Sequence, residues 1–166
     1  MSKIYTRQGD NGKSLSPDGL KNKNDITFEI FGTIDEVQAH VGLLYETMKD
    51  HQYFLKLNEN LKLIMKELYK ISSSLYTKNE SLTDNIVKIL ENWIDEMDND
   101  LLPLTEFILP IGSKSSAQAH IVRVLVRKLE RLFIGWDNDM KYKEIRIFLN
   151  RLSDYFFTLA RFLEEK

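Results

Sequence analysis

The sequence predicts an all-α protein, an up-and-down bundle of five helices, and three observations carry that reading. Glycine and proline crowd the N-terminal segment, at Gly9, Gly12, Pro17 and Gly19, yet neither occurs from Leu43 through Leu102. Turn-rich β architectures need such residues often, so this stretch predicts long helices. Apolar residues also recur in alternating steps of three and four, the spacing of one buried helical stripe. Finally, 166 residues with 43% hydrophobic and 29% charged side chains suffice for one core in one domain, spanning 1–166. The first helix is marked by Phe31, Ile34, Val41, Tyr45 and Met48. The second carries Phe54, Leu57, Leu61, Ile64, Leu68, Ile71 and Leu75. Ile86, Leu90, Trp93 and Met97 mark the third, with Ser81 or Thr83 available as N-cap. Ile121, Val124, Leu125, Leu129 and Leu132 give the fourth; Ile145, Leu149, Leu152, Phe156, Leu159 and Leu163 give the fifth. Loops fall near 50, 78, 100–115 and 135–142, and antiparallel neighbours are the simplest arrangement.

Composition removes several function classes. Lys and Arg number 23 against 25 Asp and Glu, a formal charge of −2, so nothing in the bulk charge draws the protein to nucleic acid or anionic membrane. Cysteine is absent. Disulfides, thiolate metal sites and cysteine nucleophiles are therefore excluded, which fits a reducing compartment. The opening Met-Ser-Lys-Ile-Tyr is not an apolar signal segment, and no run approaches the roughly 20 apolar residues of a membrane span. The expected location is the cytoplasm. The three histidines, His40, His51 and His120, make no Glu-x-x-His pair for a di-iron bundle. No Ser-His-Asp pattern and no Gly-x4-Gly-Lys-Ser/Thr loop is present.

Two segments carry chemistry. The polar stretch 5–25 bears glycines and the cations Arg7, Lys13, Lys21 and Lys23. By itself it reads either as a flexible arm or as a loop whose N–H groups and lysines hold phosphate. On the fourth helix, Arg123, Arg127, Glu130 and Arg131 share one side, with Lys128 adjacent and His120 one turn earlier. Such a row is commonly a solvated face. Three arginines with one acid among them nevertheless repel one another unless an anion or a carboxylate from elsewhere compensates, and guanidinium binds phosphate bidentately. Asp35 and Glu36 on the first helix are possible acidic partners, within the chain or across a subunit contact. Asn150, Arg151, Ser153 and Asp154 are expected to lie away from the apolar stripe of the last helix. An asparagine inside a helix suggests a task for its amide.

Four blocks in order resemble the PduO-type ATP:corrinoid (cob(I)alamin) adenosyltransferases. They are Lys3-Ile-Tyr-Thr-Arg-Gln-Gly-Asp-Asn-Gly12, Phe31-Gly-Thr-Ile-Asp-Glu36, Phe107-Ile-Leu-Pro-Ile-Gly-Ser113 with Arg123-x3-Arg127-Lys-x-Glu-Arg131, and Leu149-Asn-Arg-Leu-Ser-Asp-Tyr-Phe156. The resemblance covers nearly the whole chain. It implies a ferritin-like five-helix bundle over 26–166 behind an N-terminal ATP loop over 1–25, assembled as a homotrimer with ATP between subunits. Thr6, Arg7, Gln8, Gly9, Lys13, Ser14 and Lys23 would wrap the nucleotide; Arg127, Lys128, Glu130, Arg131 and Asn150 would complete its pocket. Arg123 would pair with Asp35 of a neighbouring subunit. Departures are Gln8 for threonine, a shorter Lys13–Gly19 stretch, Lys128 for arginine and Ile111 for glycine.

The activity implied is transfer of the 5′-deoxyadenosyl group of ATP to cob(I)alamin, with Mg²⁺ and Arg127 sharing the charge of the departing triphosphate. Cob(I)alamin is itself the nucleophile, consistent with a chain that offers none. A reductase and an adenosylcobalamin-dependent acceptor enzyme are implied as partners. Phe107 would stand on the cobalamin side, where an apolar, water-poor site favours reduction to Co(I); from sequence it also reads as a core aromatic beneath a loop. Two other readings are a non-catalytic nucleotide- or cobalamin-binding relative, acting as sensor or carrier, and a helical assembly protein whose arginine row is an interface.

Overall fold

Helix boundaries follow from the caps the sequence supplies. Asp25 accepts the Thr27 N–H at 2.9 Å and Ser113 accepts the Ser116 N–H at 3.0 Å, each satisfying a donor that the first helical turn leaves free. In the computed structural model, which describes residues 4–165, those caps open α1 (Ile26–Met48) and α4 (Lys114–Trp136). The other helices are α2 (Leu55–Thr77), α3 (Ile86–Asp98) and α5 (Lys143–Glu165). Lys3, the first residue of the N-terminal block, lies outside the described residues. α5 runs through the middle of the bundle, packed on α4 and α3, while α4 also packs on α1 and α1 on α2. One hydrophobic core draws on all five helices, with Phe133, Phe148, Tyr155 and Phe156 wholly buried. The predicted stripes of α2 and α5 are buried along their length apart from Phe54, which is half-buried at the entrance to α2.

Three expectations are corrected. The buried face of α4 is Ala119, Val122, Val126, Leu129 and Phe133, whereas Ile121 and Val124 are 41% and 48% exposed. α4 is apolar on more than one side, so periodicity alone admits two stripes. The smaller Ala119, Val122 and Val126 fit the close approach to both α1 and α5. Second, neither Ser81 nor Thr83 caps α3. Asn85 precedes that helix in the left-handed region without a side-chain cap bond. Thr83 is held instead by the wholly buried Glu67 of α2, donating its N–H at 2.9 Å and its hydroxyl at 2.7 Å; Ser81 pairs with Ser74.

Third, the N-terminal segment adds a small β element to the helical fold. Strands β1 (Lys13–Ser16) and β2 (Gly19–Asn22) pair antiparallel, with Lys13 opposite Asn22 and Ser16 opposite Gly19. Pro17-Asp18-Gly19 is a turn signature between two short runs, and it is the local signal for this hairpin. Ser16 locks the turn by donating its hydroxyl to the Gly19 carbonyl at 2.9 Å and accepting the Asp18 N–H at 3.2 Å. The hairpin is tied to the bundle at two points. Lys78, in the left-handed residue that ends α2, lies 2.8 Å from Asp18. Lys21 reaches Asp25 at 3.4 Å and Thr27 at 3.2 Å at the start of α1.

The hydrogen bond from Lys78 is the largest influence holding the Asp18 carboxyl below its ordinary value, with Lys21 adding to it. A depressed carboxyl contributes its tether above the ordinary carboxylate range and loses it as pH falls through the lowered value. Lys78→Met should raise the Asp18 titration toward 3.8, measured by carboxyl NMR. An unchanged midpoint would contradict the tether.

Candidate functional site

The corrected rotation of α4 decides where its cations stand. Arg127 and Arg131 are exposed, and Arg123 lies half-buried at the edge of the core face. Among the described residues none of these three arginines has an ion pair, and the buried Nε of Arg123 has no hydrogen-bond partner. Its guanidinium lies 6.0 Å from the centre of the Phe157 ring, a cation–π arrangement. Burial, and then the Arg127 charge, push Arg123 below the ordinary guanidinium value. Lys128 behaves differently: its Nζ is 3.2 Å from Glu36 and 3.4 Å from Glu29 of α1, which raise its pKa. Glu130 is also engaged, accepting a hydrogen bond from Asn150 Nδ2 at 2.9 Å across the α4–α5 contact.

Asn150 is therefore exposed beside the arginine row, as expected. Ser153 is not: it is buried and donates its hydroxyl back to the Asn150 carbonyl at 2.9 Å, fixing that turn. Arg151 faces α3, with Nε 3.2 Å from Glu91 and a second contact to Asp154 at 2.8 Å. Asp35 is exposed on α1.

A cleft of about 730 Å³ adjoins the row and shares Arg123 with it. Its walls include Leu104, Phe107, Ile108, Pro110, His120 and Phe157. The Phe107 ring is fully exposed, so it is not a core aromatic beneath its loop. His120 does not extend the solvated row as its spacing suggested; it is buried and walls this cleft, with Nδ1 unpartnered. Sequence reasoning missed Phe157, which directly follows the Asn150 block and lies off the apolar stripe of α5, a misplaced aromatic that marks a second face. Chemically, the arrangement offers a cationic rim for a polyanion beside an apolar slot for a large planar or hydrophobic group.

The hairpin gathers a second set of cations. Lys23 Nζ packs against Gly9, where a Cβ would lie 2.7 Å from it. Lys13 begins the strand opposite Asn22, while Ser14 stands opposite Lys21. Thr6, Arg7 and Gln8 are exposed just before it, with Arg7 in the left-handed region and stacked over Tyr5 at 5.7 Å. The ties of the hairpin run to the ends of α1 and α2, whereas the arginine row lies on α4.

Residues 4–163 match the family model for cobalamin adenosyltransferase. The chain belongs to that family, in its PduO-type branch. A corrinoid adenosyltransferase of Citrobacter freundii is 34% identical over 99% of this chain and 96% of its own. One from Bacillus subtilis is 36% identical over 96% and 85%. A phenylalanine-to-alanine variant of a PduO-type ATP:corrinoid adenosyltransferase from Lactobacillus reuteri, complexed with cobalamin and ATP, superposes with a TM-score of 0.90. It is 26% identical, and the match covers 98% of this chain and 94% of that one. An arginine-to-lysine variant of that enzyme, complexed with ATP, gives 0.88 at the same identity. The helical class and family expected from the sequence are thus borne out.

Burial is the main cause that lowers His120, Arg123 the second, while Glu164 opposes them. Its imidazole should titrate below 6.5, and Arg123→Met should move the midpoint part of the way back. Because the folded value is depressed, the neutral ring's contribution to stability is complete above the unfolded value and lost as pH falls through the folded one. Histidine NMR checks this; a midpoint at or above 6.5 would contradict the burial account.

Proposed function

We propose that this protein transfers the 5′-deoxyadenosyl group of ATP to cob(I)alamin. The observation that carries the reading is a row of three arginines, without an ion pair among the described residues, that shares Arg123 with an apolar cleft bordered by the fully exposed Phe107. Cobalt(I) attacks the 5′ carbon of ATP, the Co–C bond forms, and the C5′–O bond breaks with its electron pair leaving on triphosphate. Cobalt becomes formally Co(III). The protein supplies no nucleophile; it aligns the reactants and stabilises the charge developing on the leaving group. In this reading Arg127 and Arg131 take phosphate oxygens, with Asn150 and Glu130 fixing the wall beside them, and Mg²⁺ arrives on the triphosphate. Thr6, Arg7, Gln8, Gly9, Lys13, Ser14 and Lys23 close over the nucleotide. The engagement of Lys128 by Glu29 and Glu36 assigns it a minor part.

The arginine row has no ion-pairing acid among the described residues of its own chain, which supports a pocket completed between copies. We read the assembly as a homotrimer in which the exposed Asp35 of one copy meets Arg123 of the next, supplying the acid that this arginine lacks. The chain acts as a single domain, with residues 1–25 as the ATP loop. Its working place in this reading is the cytoplasm, beside a reductase that supplies Co(I) and an enzyme that consumes adenosylcobalamin. Among the described residues no helix is long and apolar enough to cross a membrane.

The test is formation of adenosylcobalamin from chemically reduced cobalamin and ATP. Arg127→Ala should lower kcat/KM for ATP about ten- to a hundredfold, the loss of one charge-assisted contact, while Lys128→Met changes it less than about threefold. ATP and cobalamin binding without turnover would leave a sensor or carrier; equal effects of the two variants would contradict the assignment of roles.

A further inference from the structure

The loop that carries Phe107, residues 101–112, has no helix or strand of its own and lies mostly exposed. Beneath it, between the loop and the end of α5, is a gap of about 250 Å³. A loop with open space below is placed by its ends, and both ends are fastened to the last turns of α5. At the near end, Arg161 donates to the Leu102 carbonyl and lies 3.8 Å from Asp98 at the end of α3. At the far end, Glu164 Oε2 accepts the Ser113 N–H at 2.8 Å, and the Ser113 hydroxyl donates to the Leu163 carbonyl at 3.1 Å. Ser113 is itself the N-cap of α4, so the Glu164 carboxylate also sits where a helix N-terminus favours negative charge.

The residue at the fastening point is constrained as well. Gly112 has φ +132, in the left-handed region, and a Cβ there would fall on the Glu164 carboxylate. A side chain at that position would open the clasp.

We propose that Arg161 and Glu164 are positioning residues, a two-point clasp that holds the Phe107 loop at the height at which Phe107 walls the cleft. Neither lines the cleft; both act through the loop. The proposal rests on the reading of that cleft as the cobalamin side. It assigns the C-terminal turn of α5, three residues apart, the task of tuning corrinoid binding without altering the nucleotide rim on α4.

The chain has no cysteine, so Leu109→Cys, at an exposed loop position, takes a single nitroxide label. In that background Glu164→Ala should sharpen the spin-label spectrum, and Glu164→Gln, which keeps an acceptor for the Ser113 N–H, should leave it as in the parent. In the unlabelled protein Glu164→Ala should raise KM for cobalamin roughly tenfold, with KM for ATP within about twofold and Gln restoring most of the loss. Gly112→Ala should reproduce the alanine phenotype. An unchanged spectrum in Glu164→Ala overturns the clasp, as does a spectrum that sharpens with cobalamin and ATP parameters altered alike. A parent that forms no adenosylcobalamin counts against the proposed function instead; the clasp then stands or falls on the label spectra.

Discussion

Three arginines in one row of α4, without an ion-pairing acid among the described residues, are the constraint on which the rest of the site depends. Side chains one helical turn apart have Cβ atoms about 6 Å apart, where like charges in water repel by less than about 1 kcal/mol. The open row is therefore tolerable. Once water is displaced the same repulsion grows several-fold, so a closed site requires an anion, a carboxylate from another copy, or both. Arg123 feels this first, being half-buried, unpartnered at Nε and next to Arg127. It is also the residue common to the row and the Phe107 cleft, which makes it the joint between a polyanion site and an apolar one.

The remaining structure serves that joint. α4 is held from two sides, by α1 and by the central α5, so the row has little freedom to turn. Asn150 and Glu130 lock α5 to α4 beside the arginines, and Arg161 and Glu164 fasten the loop that leads into α4. The hairpin is placed by Lys78 and Lys21 at the other helix ends. A bundle of this kind leaves its chemistry to side chains on facing helices and to the loops at their ends, which is where all of these groups lie.

Much of this was legible in the sequence, and the failures have physical reasons. Helix α2 follows from one uninterrupted stripe because it buries one dominant line of large residues; the stripe of α5 is buried too, and the central position of that helix buries Phe148, Tyr155 and Phe162 beside it. α4 misled because Ile121 and Val124 are apolar yet exposed, and small Ala119 and Val122 form the true contact face. Periodicity counts hydrophobicity and is blind to how closely two backbones approach. The hairpin was legible only in Pro17-Asp18-Gly19, since its strands are too short for an alternating pattern to register. The arginines of the row were found by spacing, but His120 was assigned to the wrong environment by the same spacing, since it lies buried between the clefts that the loop 101–112 and α5 line. Those contacts are tertiary: the ends of the loop bond to Arg161 and Glu164, more than fifty residues further along the chain.

The central claim is that Phe107 excludes water and the cofactor's own base from one face of cobalt while ATP occupies the arginine rim. It is tested most directly by the visible spectrum of cob(II)alamin bound with ATP, wild type against Phe107→Ala. Because Phe107 is fully exposed, its loss should leave the melting curve unchanged. The wild type should convert cob(II)alamin to a four-coordinate spectrum, and the variant should leave it five-coordinate with its ATP affinity intact. A four-coordinate spectrum that survives Phe107→Ala would contradict the account.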